Sequence, residues 1–364
     1  MRAPRVVRWF LKALLGLVVV LVVVLASGLV YRAWRQHRAE TTMAVSAANG
    51  IDETTLLRIG NTRQWISIRG QDRRNPVVLV LHGGPGASLG AMALSFVPWE
   101  RDYVVVHWDQ PGAGRTFGEA GRVFDPSLTI ESIAADGTLV AEFLRSHLQQ
   151  NQIILVGWSW GSALGIHMIK TRPDLFAAYF GTGQVVNMKE GEALAYARVL
   201  AKARKRGDAD AVAELEQIGP PPYDSLPELG VQRKWASVYE GYASNVTLLF
   251  DGLLAPRTSL ADTYDFVSGL IQSQNHFFGP SMNGPFINED LKRLGFEFAV
   301  PIFVVQGTED DYTPAALSRA YVDWLRASDK EFIPIDGAGH FAIVSRAGEF
   351  LSAMTGRLRR LSRR

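Results

Sequence analysis

From Thr55 onward two periodicities alternate along the chain. Apolar, strand-like runs at Val77 to Leu81, Tyr103 to His107, Ile153 to Val156, Ala178 to Phe180, Ile302 to Val305 and Glu331 to Ile335 read as core strands. Thr129 to Leu148 and Trp160 to Thr171 repeat their apolar residues at helical spacing, and Pro173 follows as a stop signal. Leu56 to Ile68 reads as a hairpin turning at Gly60-Asn61, and Phe341 to Leu361 as a closing helix. Strands interleaved with helices predict an α/β fold: a mostly parallel eight-stranded sheet with helices on both faces.

About 115 residues separate the strand ending near Gly183 from the one starting near Pro301, too many for a structureless loop. Helical spacing at Glu190 to Arg206 and Ala209 to Ile218, with Gly219 to Pro222 and Gly279 to Pro285 as punctuation, predicts an inserted helical cap over residues 186–300. The core then comprises residues 55–185 and 301–364.

The amino end follows a third pattern. Ala13 to Val30 carries no charge, is led by Arg2, Arg5, Arg8 and Lys12, and is followed by Arg32, Arg35 and Arg38. That length approaches the roughly 20 residues a membrane-crossing helix needs. Trp9, Phe10, Tyr31 and Trp34 stand where aromatic rings settle at the headgroup level. Residues 1–38 are therefore expected to form a single-pass anchor and residues 39–54 a tether. The basic lead keeps the amino end in the cytoplasm and puts the body outside the membrane. A cleaved signal peptide, with Val24-Leu25-Ala26 as the cleavage site and secretion as the result, is the alternative.

The net charge of +2 conceals a polarity. Residues 1–38 hold seven Lys/Arg and residues 357–364 hold five, with no acidic residue in either; 26 basic residues (38 less those 12) then face 36 acidic ones. An acidic body argues against nucleic acid as a partner. The chain has no cysteine, which excludes disulfides and thiolate chemistry. No H-E-x-x-H, EF-hand loop or paired-histidine set is present, so no metal is expected. Gly112 to Gly118 resembles a dinucleotide fingerprint, but its last glycine is one position late, so no cofactor is expected either.

Candidate chemistry lies where strands end. Ile153 to Val156 runs into Gly157-Trp158-Ser159-Trp160-Gly161 and then a helix. In that strand-turn-helix context a serine sits at a sharp turn, exposed as a nucleophile, and the glycines relieve crowding. Val77 to Leu81 leads into His82-Gly83-Gly84-Pro85-Gly86, which lets backbone approach a substrate closely. The N–H groups of Gly84 and Trp160 are the expected donors to a carbonyl oxygen that becomes negative in acyl transfer. After Ile302 to Val305 come Glu309, Asp310 and Asp311; Asp310 is the chosen acid, and its neighbours are alternatives. After Glu331 to Ile335 a glycine-bearing loop presents His340, suited to carry a proton between serine and leaving group. His82 is expected to be structural, and His37, His107, His147, His167 and His276 lie where packing or surface roles are expected.

His82-Gly83-Gly84-Pro85-Gly86, Trp108-Asp109-Gln110 with Gly112 and Gly114, and Gly157 with Ser159-Trp160-Gly161-Ser162 resemble the α/β-hydrolase superfamily, and within it the proline iminopeptidase-like serine peptidases. The resemblance covers roughly residues 55 to 185 and 300 to 360. It implies a triad of Ser159, Asp310 and His340, an oxyanion hole at Gly84 and Trp160, and removal of an N-terminal residue, often proline, from small peptides. Trp158 stands where members usually have glycine, and Pro111 where they have arginine.

Peptidase members need cap carboxylates for the substrate's ammonium group, for which Glu190, Glu192, Glu240, Asp262 and Asp265 are candidates. An apolar lining from Trp235, Phe250 and Phe277 would instead suit a carboxylesterase, lipase or lactonase acting on an acyl substrate. The reading from another class is a non-catalytic binding protein that keeps the fold.

Overall fold

The computed structural model describes residues 5–241 and 252–363. Helix α1 (Arg5–Thr42) precedes strands β1 (Ile51–Ile59), β2 (Thr62–Gly70), β3 (Val77–Leu81) and β4 (Val104–Trp108). Then come α2 (Gly114–Glu119), α3 (Ile130–His147), β5 (Ile153–Trp158), α4 (Trp160–Thr171) and β6 (Phe176–Thr182). Four described helices follow before the next strand: α5 (Met188–Arg206), α6 (Ala209–Ile218), α7 (Leu226–Glu240) and α8 (Leu260–Phe278). The chain closes with β7 (Ile302–Gly307), α9 (Ala315–Trp324), β8 (Lys330–Ile335), α10 (Ala342–Ser345) and α11 (Ala347–Leu361).

The eight strands form one sheet in the order β1-β2-β4-β3-β5-β6-β7-β8. β1 with β2 and β2 with β4 are antiparallel; the other pairs are parallel. β3, β4, β5 and β7 are buried at every position, as the uninterrupted apolar runs require. Alternate side chains feed two layers: Val77, Leu79 and Leu81 join one apolar cluster, and Val78 and Val80 the other. Parallel strands present all their carboxyl ends at one edge, so the loops after β3, β5, β7 and β8 meet there.

Three boundaries depart from expectation. α1 continues through Thr42 and β1 begins at Ile51, which reduces the connector from residues 39–54 to 43–50. Residues 32–42 lack glycine and proline and are rich in helix formers. Asp52 and Thr54 look like tether residues because they are the outward positions of an edge strand whose Ile51 is buried. The closing helix is broken at Arg346, because α10 is nearly all buried while α11 is amphipathic and turns only Phe350 and Met354 inward. Leu89–Arg101 forms a 3-10 segment that the apolar spacing had not disclosed.

α1 is apolar enough to cross a membrane, with a mean hydropathy of 3.0 in its best window and none of that window buried. Its last turns dock on the body. Arg32 Nε donates to Leu253 O at 2.9 Å, and Gln36 Nε2 to Ala255 O and Thr258 O, both at 2.8 Å.

Candidate active site

Ser159 occupies the turn between β5 and α4 with φ 55° and ψ −120°, a left-handed conformation that non-glycine residues rarely hold. Its surroundings impose it. A Cβ on Gly157 would stand 2.6 Å from Gly161 O, and one on Gly161 would stand 2.6 Å from His82 O. The turn thus closes against the end of β3 only because both positions lack side chains. The Ser159 N–H donates to Thr182 O at 3.0 Å, which fixes the turn to β6.

The loops after β7 and β8 bring an acid to an imidazole. His340 Nδ1 lies 3.1 Å from both Asp310 carboxylate oxygens, and both residues are buried. Asp310 also accepts from Tyr312 N at 2.9 Å, Thr313 N at 2.8 Å, Thr313 Oγ1 at 2.8 Å and Gln306 Nε2 at 3.1 Å. Burial alone would raise the Asp310 carboxyl; the charge of His340 and the bonds from His340 and Thr313 outweigh it and hold it below the usual carboxylate range. An ionised carboxylate at Nδ1 keeps the proton there and leaves Nε2 as the basic nitrogen. Asp311, the neighbour, pairs with Arg198 at 3.0 Å and with Lys202, and Glu309 pairs with Lys202 at 2.8 Å. Only Asp310 of the three faces the imidazole.

Side-chain contacts tie the His340 loop to the turn after β5 and to the loop after β7. Trp158 Nε1 donates to His340 O at 3.1 Å, and the Tyr312 ring stacks on the imidazole at 4.7 Å. Gly183, next to the residue that receives the Ser159 N–H, runs so close that a Cβ there would stand 2.7 Å from His340 Cε1. Among the described residues, Ser159 Oγ and His340 Nε2 are not hydrogen-bonded to each other; such bonds commonly tighten when substrate binds.

The glycine loop after β3 passes directly beside Ser159: a Cβ on Gly83 would lie 3.3 Å from Ser159 Cβ. Gly84 has φ +120°, and a Cβ there would stand 2.6 Å from Gly86 N, so the loop needs glycine. Trp160 is the first residue of α4, where a backbone N–H has no intrahelical acceptor. Gly84 and Trp160 thus lie on two different elements, one residue beyond the loop position that touches Ser159 and one residue beyond Ser159 itself.

Gln110 ties those elements together, a role the motif reading missed. Its Oε1 accepts from Trp160 Nε1 at 2.8 Å, its Nε2 donates to His82 O at 3.4 Å, and its N–H donates to His82 Nε2 at 3.2 Å. His82 Nδ1 therefore carries the proton and donates to Gly83 O at 2.9 Å. Burial pushes the His82 imidazole down to about 4, which keeps it neutral and able to accept from Gln110.

A model of the α/β hydrolase fold matches residues 76–347. The chain belongs to the α/β-hydrolase family. This hydrolase is 28% identical over 82% of its length to "Probable aminopeptidase YbaC" of Bacillus subtilis, covering 94% of that protein. It is 26% identical to a "Probable proline iminopeptidase" of Streptomyces coelicolor, over 78% of this chain and 87% of that one. Among solved structures, a membrane phospholipase A described as a bacterial virulence factor superposes with a TM-score of 0.58 at 17% identity, over 96% of this chain and 99% of that one. The proline iminopeptidase-like character inferred from the motifs agrees with the sequence relatives.

The structure separates the five candidate carboxylates. Glu240 reaches the loops that carry Asp310 and His340: its carboxylate accepts from His340 N at 2.6 Å and Asp311 N at 2.8 Å. Burial, with the charge of Asp310, pushes it up to about 8. Glu192 is buried beside Arg233; its Oε2 and the Tyr223 hydroxyl are both buried without a hydrogen-bond partner among the described residues. Burial raises Glu192, and Arg233 offsets part of that rise. Asp262 pairs with Arg115 at 3.1 Å and Asp265 with Arg122 at 2.5 Å, both binding α8 to the core, and Glu190 is exposed. Of the apolar candidates, Phe277 packs on Trp160 with ring centres 4.5 Å apart. Trp235 sits in the separate cluster of α5, α6 and α7, and Phe250 lies outside the described residues. Trp158, where members usually have glycine, is the indole that holds the His340 carbonyl.

Proposed function

We propose that this hydrolase cleaves an amide bond by covalent catalysis: Ser159 attacks the carbonyl, His340 takes its proton and returns it to the leaving amine, and Asp310 stabilises the imidazolium. The backbone N–H groups of Gly84 and Trp160 receive the oxyanion. The observation that supports the reading is a serine held at positive φ in the turn after β5, with a carboxylate-bound imidazole on the loop after β8 at the same edge of the sheet.

The substrate is a small peptide with a free amino end, as in proline iminopeptidases. Glu192 is buried within the influence of the His340 charge, and its Oε2 lacks a partner among the described residues that an ammonium group would supply; the half-buried Glu240, whose oxygens accept from the His340 and Asp311 N–H groups, is the second carboxyl group at the His340 loop. The names of the sequence relatives point the same way. An ester or lipid acyl substrate is the second reading, favoured by the Phe277 ring that packs on Trp160. α1 anchors the enzyme in the membrane with the body on the extracytoplasmic side.

A fluorophosphonate probe tests the chemistry: it labels the wild type and fails to label a folded Ser159→Ala variant. An unlabelled, folded wild type would favour the binding protein over the enzyme. Turnover of prolyl and other aminoacyl naphthylamides against acyl p-nitrophenyl esters then separates peptidase from esterase.

A further inference from the structure

Helix α8 has two faces with opposite surroundings. Its inner face packs on the glycine loops: a Cβ on Gly86 would stand 2.8 Å from Ser273 Cβ, and Ser273 Oγ donates to Gly112 O at 2.9 Å. Its outer face is apolar where a surface helix should be polar. Leu260, Tyr264, Val267 and Ile271 recur at i, i+4, i+7 and i+11, which places them in one stripe along the helix. Leu260, Tyr264 and Ile271 are 55%, 59% and 52% exposed.

The position of α8 relative to α1 says what covers that stripe. Arg32 is the first charged residue after the uncharged stretch, so its guanidinium marks the level where the hydrocarbon ends. That guanidinium bonds to Leu253 O and Thr258 O, and Gln36 one turn later bonds to Ala255 O and Thr258 O. Ser259 caps α8 directly after Thr258, so the stripe begins beside this headgroup level. Two arginines lie beside it, each already ion-paired: the Arg122 guanidinium is 5.6 Å from the Tyr264 ring centre and pairs with Asp265, and Arg257, exposed next to the docking site, pairs with Asp52 at 2.7 Å. Exposed apolar side chains in one stripe, starting at the headgroup level, are what a helix lying in the bilayer interface buries.

We infer that the outer face of α8 rests on the lipid bilayer beside α1, an inference that depends on α1 being a membrane helix. From Leu260 to Ile271 the contact runs about 16 Å at 1.5 Å per residue. The helix then stands between the membrane surface and the glycine loop beside Ser159.

The absence of cysteine makes the test direct, since any introduced thiol is unique. Val20→Cys, Tyr264→Cys, Ile271→Cys and Val238→Cys variants of the full chain, each carrying a nitroxide label, are reconstituted in phosphatidylethanolamine/phosphatidylglycerol vesicles. Collision with oxygen, which concentrates in lipid, is compared with collision with a water-soluble nickel chelate. Oxygen is expected to dominate at Val20, Tyr264 and Ile271, and nickel at Val238, an exposed apolar residue of α7. Nickel dominance at both stripe positions with oxygen dominance at Val20 overturns the inference and leaves the anchor standing. Nickel dominance at Val20 overturns the anchor and the surface with it. Protection of the stripe from both reagents, with spin-spin broadening, would assign the face to a second copy of the chain and also overturn the inference.

Discussion

Replacing Asp310 with asparagine keeps the shape of the side chain and changes what it can receive. Its Oδ1 would still accept from Tyr312 N and Thr313 N, but its amide nitrogen would replace an oxygen that now receives His340 Nδ1, Thr313 Oγ1 and Gln306 Nε2. The threonine hydroxyl can reverse its bond. The imidazole, whose Nδ1 faces that nitrogen as closely as it faces Oδ1, accepts from the amide by moving its proton to Nε2, the tautomer that cannot take a proton from Ser159. By the logic of the serine triad that tautomer costs about 10⁴ in kcat, or about 5 kcal/mol. KM should change little, because the carboxylate acts through the imidazole. Steady-state kinetics on an activated ester, with circular dichroism to verify folding, measure the effect. An Asp310→Asn enzyme within about tenfold of wild-type kcat, a loss under about 1.4 kcal/mol, would refute the assignment. It would do so decisively if Asp311→Asn or Glu309→Gln then proved the inactive variant.

Gln110→Met should lower kcat about 10- to 100-fold at nearly constant KM, because the Trp160 indole loses its acceptor and the elements carrying the two proposed oxyanion donors lose their common tie; the split between kcat and KM distinguishes this from general unfolding. Glu240→Gln should cut kcat/KM on aminoacyl substrates about 10- to 100-fold, the worth of a hydrogen bond to a charged group, and change the ratio of aminoacyl to ester turnover; equal losses on both would refute an amine site. Glu240 also predicts a pH dependence of stability. Its folded value of about 8 lies above the ordinary 4.5, so its contribution is fully present below pH 4.5 and is lost as pH rises through about 8. The fall in melting temperature across that window should be smaller in Glu240→Gln. Gly157→Ala places a methyl 2.6 Å from Gly161 O and 2.8 Å from Ser162 Cα, and should cost about 1–3 kcal/mol in denaturant melts and slow probe labelling; Gly348→Ala, with nothing within 4 Å, should be close to neutral.

What the amino-acid order determined alone is whatever a few consecutive residues enforce. Val77 to Leu81 and Ile302 to Val305 can only be buried strands, because uninterrupted apolar runs of that length must leave water on both faces. Gly157 and Gly161 around Ser159 announce a tight turn because the crowding they relieve lies within five residues or just across the neighbouring strand. Contacts between distant segments were decided only by folding. Glu309, Asp310 and Asp311 are three successive carboxyl groups, and only the path of the β7 loop turns the middle one to His340 and the others to cap lysine and arginine. Glu240 reads as a solvated helix charge until α7 carries it 100 residues across to the His340 backbone. Asp52 and Thr54 look like tether until pairing with β2 makes them the outer face of an edge strand. Local sterics are encoded in neighbouring residues, whereas the partner of a charged side chain is set by chain paths that no short segment contains.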